Sequence, residues 1–216
     1  MHCKYIISDM DGVLLDTMSM WIDLGPAYVR SLGCIPKPGL QEQIFNLSIR
    51  ESARVLRHDY GLQLSEEEII AGITAMADSF YTERAPLKSG VAQTLPRLRQ
   101  RGCRCYVATA SATTLARAAF VRTGIDRYFD GIFCCTEMKL EKTDPAFFLA
   151  LADKLSAMPD EMVLLEDNLP NTLAAKSAGL HTIALYDAPS DGHWPVLRQA
   201  AEFACRDFSQ ILSIIQ

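Results

Sequence analysis

The feature that most constrains the fold is a regular alternation of short apolar runs and longer amphipathic stretches after Pro86. The apolar runs are predicted strands at 103–109, 131–134, 162–166 and 181–185. The stretches between them have helical periodicity, and several end at a glycine, which favours helix termination. Because parallel strands need long crossover connections, this alternation predicts an α/β fold, a doubly wound parallel sheet with helices on both faces.

An apolar run at 4–8 predicts one further strand, and the segment that follows it differs from the rest of the chain. Residues 17–85 show helical periodicity without a strand pattern, and Ser65 with Glu68 forms a capping-box signature at the start of one helix. We therefore predict two domains. The core comprises residues 1–16 and 86–216, and a small all-helical domain, residues 17–85, is inserted into it.

Composition narrows the class of protein. The chain has 216 residues, 49% of them hydrophobic and 22% charged, with a formal net charge of −5. These values are ordinary for a globular protein, and dispersed basic residues in an acidic chain argue against nucleic acid as a partner. No apolar run approaches the ~18 residues of a membrane span, and the first residues lack a signal-peptide pattern, so we expect a cytoplasmic protein. The seven cysteines lack framework or zinc-site spacing and are expected to be reduced core residues.

Polar residues follow the predicted strands, at the edge of a parallel sheet where ligands bind. Four segments meet this description: 9–12, 109–111, 141–142 and 166–167. Because the carboxyl ends of parallel strands share one edge, we expect these segments to lie together and to form a single functional site.

Asp9 and Asp11 are the most specific of these polar residues. Side chains at i and i+2 where a strand ends point to the same side, so the two carboxylates can share one cleft. Carboxylates this close repel each other unless a cation lies between them or one of them holds a proton. Oxygen ligands suit Mg²⁺, which is the predicted cofactor. A plain turn at Gly12 is the alternative, and a calcium loop is disfavoured because an apolar run follows at 13–15.

Glu166 and Asp167 add two adjacent carboxylates at the same edge. Burying both without a cation would be costly, so we predict metal ligation by at least Asp167. Asn168 has a sufficient structural role as the N-cap of the next helix.

The remaining polar residues at this edge indicate anion binding. Thr109, Ala110 and Ser111 precede a helix, where hydroxyl and backbone N–H groups can bind an anion. A Ser or Thr in this place is also a common helix cap, so a purely structural role stays open. Most lysines only solubilise a protein, but the position of Lys142 in a loop at this edge favours a functional role.

Together and in this order, the motifs resemble those of the haloacid dehalogenase superfamily, in particular its phosphatase and β-phosphoglucomutase-like branch with a helical cap. The matching segments are 9–17, 107–111, Lys142 and 165–171. The resemblance implies a Rossmann-like core with the cap inserted after the first motif. It also implies an Mg²⁺-dependent phosphatase that hydrolyses a phosphomonoester of a small metabolite through an aspartyl-phosphate intermediate.

The resemblance further implies a role for each residue. Asp9 would be the nucleophile, and Asp11 would be the general acid and base. The implied Mg²⁺ ligands are Asp9, Asp11 (through its backbone carbonyl), Glu166 and Asp167, and the implied phosphate-binding residues are Thr109, Ala110, Ser111 and Lys142. Dehalogenase members lack an acid at the position of Asp11, which argues against carbon–halogen cleavage.

Thr17, Trp21 and Arg50 are candidates for substrate contact in the predicted cap. Trp21 lies near the place where sugar phosphomutases of this family carry a histidine. This difference weakens the hypothesis of a phosphomutase without excluding it. Core packing for Trp21 and an exposed helix start for Arg50 are the structural alternatives. A phosphatase is our first hypothesis, a sugar phosphomutase the second and a non-catalytic binder the third. We expect a small phosphorylated metabolite as partner, and a monomer or weak homodimer.

Overall fold

The computed structural model describes residues 1, 3–44 and 47–215. The strands are β1 (Tyr5–Ser8), β2 (Arg104–Thr109), β3 (Gly131–Cys134), β4 (Met162–Glu166), β5 (His181–Leu185) and β6 (Phe203–Cys205). Across the described residues they form one sheet in the order β3-β2-β1-β4-β5-β6, and every neighbouring pair is parallel. The sheet confirms the predicted doubly wound α/β fold.

Helices connect these strands. They are α1 (Met18–Ser31), α2 (Leu40–Ile44), α3 (Ile49–Asp59), α4 (Glu66–Glu83), α5 (Val91–Gln100), α6 (Thr113–Thr123), α7 (Cys135–Met138), α8 (Pro145–Leu155), α9 (Leu169–Ser177), α10 (Trp194–Ala200) and α11 (Ile211–Ile214). No helix in the described part of the chain combines the length and apolar character that a membrane crossing requires.

The sheet is apolar throughout because side chains on both of its faces are buried. Tyr5 and Ile7 of β1 belong to a cluster with Phe147 and Phe148 of α8 and with residues of α9. Ile6 points to the opposite face by the alternation of a strand and is equally buried. Near-continuous apolar strands are what a sheet covered on both faces requires.

The chain divides into two compact units, Met1–Asp16 with Ala85–Gln216, and Thr17–Arg84. The smaller unit contains α1 to α4, whose buried apolar side chains form a core of their own. Helices α3 and α4 both begin at capping boxes, Ser48 with Glu51 and Ser65 with Glu68. In each box the serine hydroxyl and the glutamate carboxylate accept backbone N–H groups of the first turn, which fixes where the helix starts.

The strand positions predicted from sequence agree with the structure to within a residue or two, but two short helices were not predicted. Helices α7 and α10 have four and seven residues, too few for a helical period to stand out. Cys135, directly after the predicted strand at 131–134, is the first residue of α7. The seven cysteines are free thiols. Burial raises the pKa of Cys3 and of Cys105 to about 12, so both thiols stay protonated near neutral pH.

Candidate active site

Asp9 is placed at the end of β1 by a tight loop. Its backbone N–H donates to the carbonyl of Leu165 on the neighbouring strand β4. The N–H groups of Leu14 and Leu15 both donate to the carbonyl of Met10, and Gly12 adopts a φ of 79°. This left-handed conformation is strained for residues with a Cβ, which explains the glycine. The loop therefore turns back directly after Asp9 and holds that carboxylate at the edge of the sheet.

Asp9, Lys142 and Glu166 form a buried ionic cluster at this edge. The ammonium of Lys142 lies 2.6 Å from Oδ1 of Asp9 and 3.0 Å from Oε2 of Glu166. The three residues are exposed to only 8%, 5% and 1%, respectively. A buried charge is tolerated only when it is paired and hydrogen-bonded, so one lysine stabilises two carboxylates from different strands.

Glu166 has a donor on each side of its carboxylate. Oε1 accepts the backbone N–H groups of Asp167 and Asn168 at 3.2 Å each. Oε2 accepts the Asn171 amide at 3.2 Å in addition to Lys142. These bonds fix the orientation of the carboxylate. Asn168 also caps α9, because its Oδ1 accepts the N–H of Asn171, as predicted.

Three of the four predicted metal ligands lie together. Within the described residues, carboxylate oxygens of Asp9, Glu166 and Asp167 lie within 4.8 Å of one another, and all three residues are buried. Asp11 does not belong to this group of side chains. Carboxylate oxygens are hard ligands suited to Mg²⁺. Since Lys142 neutralises only part of the negative charge, the chemistry of this donor set fits a divalent cation.

The ionisation of the cluster shows the same imbalance of charge. Burial, and next the charge of Glu166, raise the pKa of Asp9 and of Asp167 well above the ordinary value. Burial lowers the pKa of Lys142, but the carboxylates of Asp9 and Glu166 outweigh this and raise it above its usual range. Lys142 therefore stays a cation, while the raised pKa of the two aspartates reflects a surplus of buried negative charge that a further cation would compensate.

Thr109 is the last residue of β2, Ser111 lies in the loop that follows, and neither hydroxyl bonds to a helix end. Thr109 is fully buried, and its hydroxyl accepts the N–H of Ser111 at 3.0 Å. The Ser111 hydroxyl donates to Oδ2 of Asp11 at 2.9 Å. Neither hydroxyl caps α6, whose N-cap residue is Ala112. The helix-cap explanation of these hydroxyls is therefore wrong, and Ala110 lies between them with an exposed side chain.

Two residues at this edge, Asp187 and Lys88, were not among the site residues predicted from the sequence. Asp187 follows β5 and is fully buried, and its Oδ1 lies 2.5 Å from the ammonium of Lys88. The other segments were selected because they follow the carboxyl end of a predicted strand, and we call this the strand-end rule. It would have selected Asp187 too, since Asp187 lies two residues beyond a predicted strand. Lys88 carries no such signal, because it lies in a loop before α5.

Thr17, Trp21 and Arg50 belong to the smaller unit. Thr17 is buried at the start of α1. The indole N–H of Trp21 donates to the hydroxyl of Tyr81 at 2.8 Å, although 37% of Trp21 is exposed. Arg50 lies 3.2 Å from a carboxylate oxygen of Glu67, in an exposed ion pair. A substrate role for these three residues stays a prediction.

Comparison with known proteins identifies phosphatases of similar sequence. The curated phosphorylated carbohydrates phosphatase of Thermotoga maritima is 25% identical over 98% of this chain and 97% of its own length. Hexitol phosphatase A of Escherichia coli is 27% identical over 88% of this chain and 86% of its own. A solved structure from Thermotoga maritima, provisionally named a β-phosphoglucomutase, shares the fold with a TM-score of 0.85 and 24% identity, over 98% of this chain and 97% of that one. The family model of haloacid dehalogenase-like hydrolases matches residues 3–179, so the chain belongs to this family of hydrolases.

Proposed function

We propose that this hydrolase is an Mg²⁺-dependent phosphatase that cleaves the phosphomonoester of a small metabolite through an aspartyl-phosphate on Asp9. The observation that carries the proposal is the buried position of Asp9, 2.6 Å from Lys142 and within 4.8 Å of two further carboxylates. A buried carboxylate beside a permanent cation and a cation-binding group suits attack on an anionic phosphoryl group.

The first step forms the intermediate. An oxygen of Asp9 attacks phosphorus, the bond between phosphorus and the ester oxygen breaks, and Asp11 gives the leaving oxygen its proton. This nucleophilic route divides one displacement into two easier steps. The Ser111 hydroxyl, which donates to Asp11, holds the carboxyl group of Asp11 in a fixed direction.

The second step releases phosphate. Asp11, now ionised, takes a proton from water, and the water oxygen attacks the phosphorus of the aspartyl-phosphate. The bond from phosphorus to Asp9 breaks, which regenerates the free carboxylate and releases inorganic phosphate. The same residue thus acts as acid in one step and as base in the other.

The phosphoryl group carries negative charge that the site must stabilise. Lys142 supplies one fixed positive charge, and the Thr109 hydroxyl and the backbone N–H groups of Ala110 and Ser111 are the proposed hydrogen-bond donors to the phosphoryl group. Mg²⁺, held by Asp9, Asp167 and the backbone carbonyl of Asp11 with Glu166 in support, would neutralise charge on the phosphoryl oxygens. Positioned charges of this kind supply most of the catalysis in phosphoryl transfer.

The substrate class follows from the relatives. The two curated relatives are named for phosphorylated carbohydrates and for hexitols, which supports a sugar or sugar-alcohol phosphate as the substrate of this chain. We propose that the smaller unit, with Thr17, Trp21 and Arg50, selects among such substrates as a cap. Trp21, near the position of the phosphomutase histidine, weakens the phosphomutase alternative without excluding it.

A phosphate-release assay with Mg²⁺ over a panel of sugar and sugar-alcohol phosphates tests the proposal. We expect release from at least one compound, its loss in Asp9→Asn, and normal activity in Asp130→Asn. Asp130 pairs with Arg99 outside the site, which makes it a matched control for the loss of one carboxylate. If no compound of the panel releases phosphate, the chain is a binder; if a sugar 1-phosphate is isomerised with a bisphosphate primer instead, it is a phosphomutase.

A further inference from the structure

Asp187 is a buried carboxylate at the active-site edge to which the proposed mechanism gives no role. It lies two residues beyond the end of β5, and β5 pairs directly with β4, which carries Glu166 at its own end. Its side chain has no exposed surface. Asp187 therefore follows β5, the neighbour of the strand that carries Glu166, and lies on the same edge of the sheet as the proposed cation ligands.

One oxygen of this carboxylate is paired and the other is not. Oδ1 accepts a hydrogen bond from the ammonium of Lys88 at 2.5 Å, whereas Oδ2 is buried without a hydrogen-bond partner among the described residues. A buried carboxylate oxygen that lacks a donor lowers the stability of the folded state, because it has lost its hydrogen bonds to water. Such an atom in a folded protein calls for a partner that the protein chain does not supply.

Lys88 ties this pair to the loop that contains Asp11. Its backbone N–H donates to the carbonyl of Leu14 at 2.9 Å, and the preceding residue, Leu87, forms a β-bridge with Leu15. Leu15 in turn bridges to Asp11. The Lys88–Asp187 pair is thus joined by consecutive backbone contacts to the loop that follows Asp9.

Asp187 is near the cation ligands without being one of them. Its negative charge is among the causes that raise the pKa of Asp167, after burial and the nearer carboxylates. Within the described residues, however, Asp187 does not belong to the group whose carboxylate oxygens lie within 4.8 Å of one another. A carboxylate that follows the strand next to β4, at the same edge of the sheet, can act on a bound cation through a water molecule.

We infer that Asp187 is a positioning residue of the proposed cation site, and that its free Oδ2 accepts a hydrogen bond from a water molecule bound to the divalent cation. Mg²⁺ keeps several of its waters when carboxylates bind it, so its outer waters need acceptors of this kind. Lys88 holds the carboxylate in place through the contact at Oδ1. This inference rests on the proposed cation site.

Isothermal titration calorimetry with Mg²⁺ on the whole chain tests the inference. Asp187→Asn is nearly isosteric, and its amide can keep its oxygen toward Lys88 only by turning a donor NH₂ toward the water. We expect the Kd for Mg²⁺ to rise about tenfold, within the 10–100-fold range of other outer-shell substitutions. Asp130→Asn removes an equal charge from an ion pair outside the site and is expected to leave the Kd unchanged.

Lys88→Met separates positioning from simple electrostatics. Loss of a positive charge near the site would tighten Mg²⁺ binding if long-range charge alone mattered. If Lys88 holds Asp187 in place, its loss weakens Mg²⁺ binding instead, because the carboxylate is no longer fixed in its position. An unchanged Kd in Asp187→Asn, or equal or tighter binding in Lys88→Met, would overturn the inference.

Two further measurements keep the result unambiguous. Thermal unfolding in EDTA checks that each variant is folded, and Asp187→Ser, which leaves room for a water molecule, replaces Asp187→Asn if that variant is unfolded. Asp9→Asn is titrated in parallel. If the wild-type chain binds no Mg²⁺, the proposed function and the inference both fail. If Asp9→Asn loses Mg²⁺ and Asp187→Asn keeps it, the inference alone fails.

Discussion

The Ser111 hydroxyl donates a hydrogen bond to Oδ2 of Asp11 at 2.9 Å, between residues one hundred positions apart in the sequence. Hydrogen bonds to charged groups contribute about 1.5–3 kcal/mol, so this bond is strong enough to fix the orientation of the proposed acid and base. We predict that Ser111→Ala lowers kcat of the phosphatase about tenfold and changes KM little. Steady-state kinetics on a hydrolysed phosphomonoester measures both constants.

Ser177→Ala is the matched control for this variant. The Ser177 hydroxyl donates to the carbonyl of Leu173 within α9, so the substitution removes a hydroxyl and a hydrogen bond outside the site. It is expected to leave kcat unchanged. An unaltered kcat in Ser111→Ala would show that Ser111 does not orient Asp11, and a rise in KM alone would assign Ser111 to substrate binding instead.

The second prediction concerns the buried lysine of the site. Lys142→Met leaves the carboxylates of Asp9 and Glu166 buried without their cation, and breaking a buried ion pair costs about 3–5 kcal/mol. We expect the free energy of unfolding in EDTA to fall by about this amount, and saturating Mg²⁺ to restore part of it. Urea unfolding followed by circular dichroism measures the change.

Lys176→Met provides the comparison for Lys142→Met. The ammonium of Lys176 donates to the carbonyl of Ala200 at an exposed position, so its loss is expected to have little effect on stability. Equal unfolding free energies for Lys142→Met and the wild type in EDTA would mean that the carboxylates of the cluster do not depend on Lys142.

The third prediction is the pH dependence of stability without a cation. Burial and Glu166 raise the pKa of Asp9 and of Asp167, whose ordinary value is 3.8, so the native state keeps these protons to higher pH than the unfolded chain does. Stability from these groups is therefore fully present below the unfolded pKa and is lost as pH rises through the native one. In EDTA we expect the urea midpoint of the wild type to decrease as the pH is raised above 3.8, as measured at several pH values.

Two changes should flatten this fall. Mg²⁺ binds the ionised carboxylates and favours the native state at high pH, and Asp167→Asn removes one of the two titrating groups. Each unit by which a native pKa exceeds its unfolded value is worth about 1.4 kcal/mol. An identical pH slope for the wild type and Asp167→Asn would contradict the raised pKa of the buried Asp167 that underlies the prediction.

The sequence predicts the sheet well because strands buried on both faces are continuous apolar runs, and such runs are visible without long-range information. Residues 131–134, 162–166 and 181–185 were predicted with the same bounds that β3, β4 and β5 have in the structure. The strand-end rule then brings Asp9, Glu166 and Lys142 to one edge, where the structure joins them in one ionic cluster.

Contacts that depend on tertiary geometry could not be predicted in this way. The pairing of Lys88 with Asp187 joins a loop before α5 to a loop after β5, and nothing local in either segment specifies the other. The bond from Ser111 to Asp11 likewise depends on how two loops turn after their strands. Thr109 is buried and Ala110 is exposed because β2 ends between them. The hydrogen bonds that Thr109 and Ser111 form do not follow from the strand pattern.

The fourth prediction compares two glycines with the same backbone conformation. Gly90 and Gly102 flank α5, and both have a φ of 83°. A Cβ on Gly90 would lie 2.5 Å from Oδ1 of Asp207 and 2.6 Å from the backbone nitrogen of Ser209, whereas a Cβ on Gly102 has no atom within 4 Å. Any difference between the two alanine variants therefore isolates the close approach from the strain of a positive φ.

We expect Gly102→Ala to lower the free energy of unfolding by about 1–2 kcal/mol, the cost of a left-handed residue with a Cβ. Gly90→Ala should lose about 1–3 kcal/mol more, because the added methyl group displaces the segment at 207–209. Urea unfolding in EDTA measures both changes. If both variants lose the same free energy of unfolding, the segment at 207–209 moves aside without a loss of stability, and Gly90 is required only for its backbone conformation.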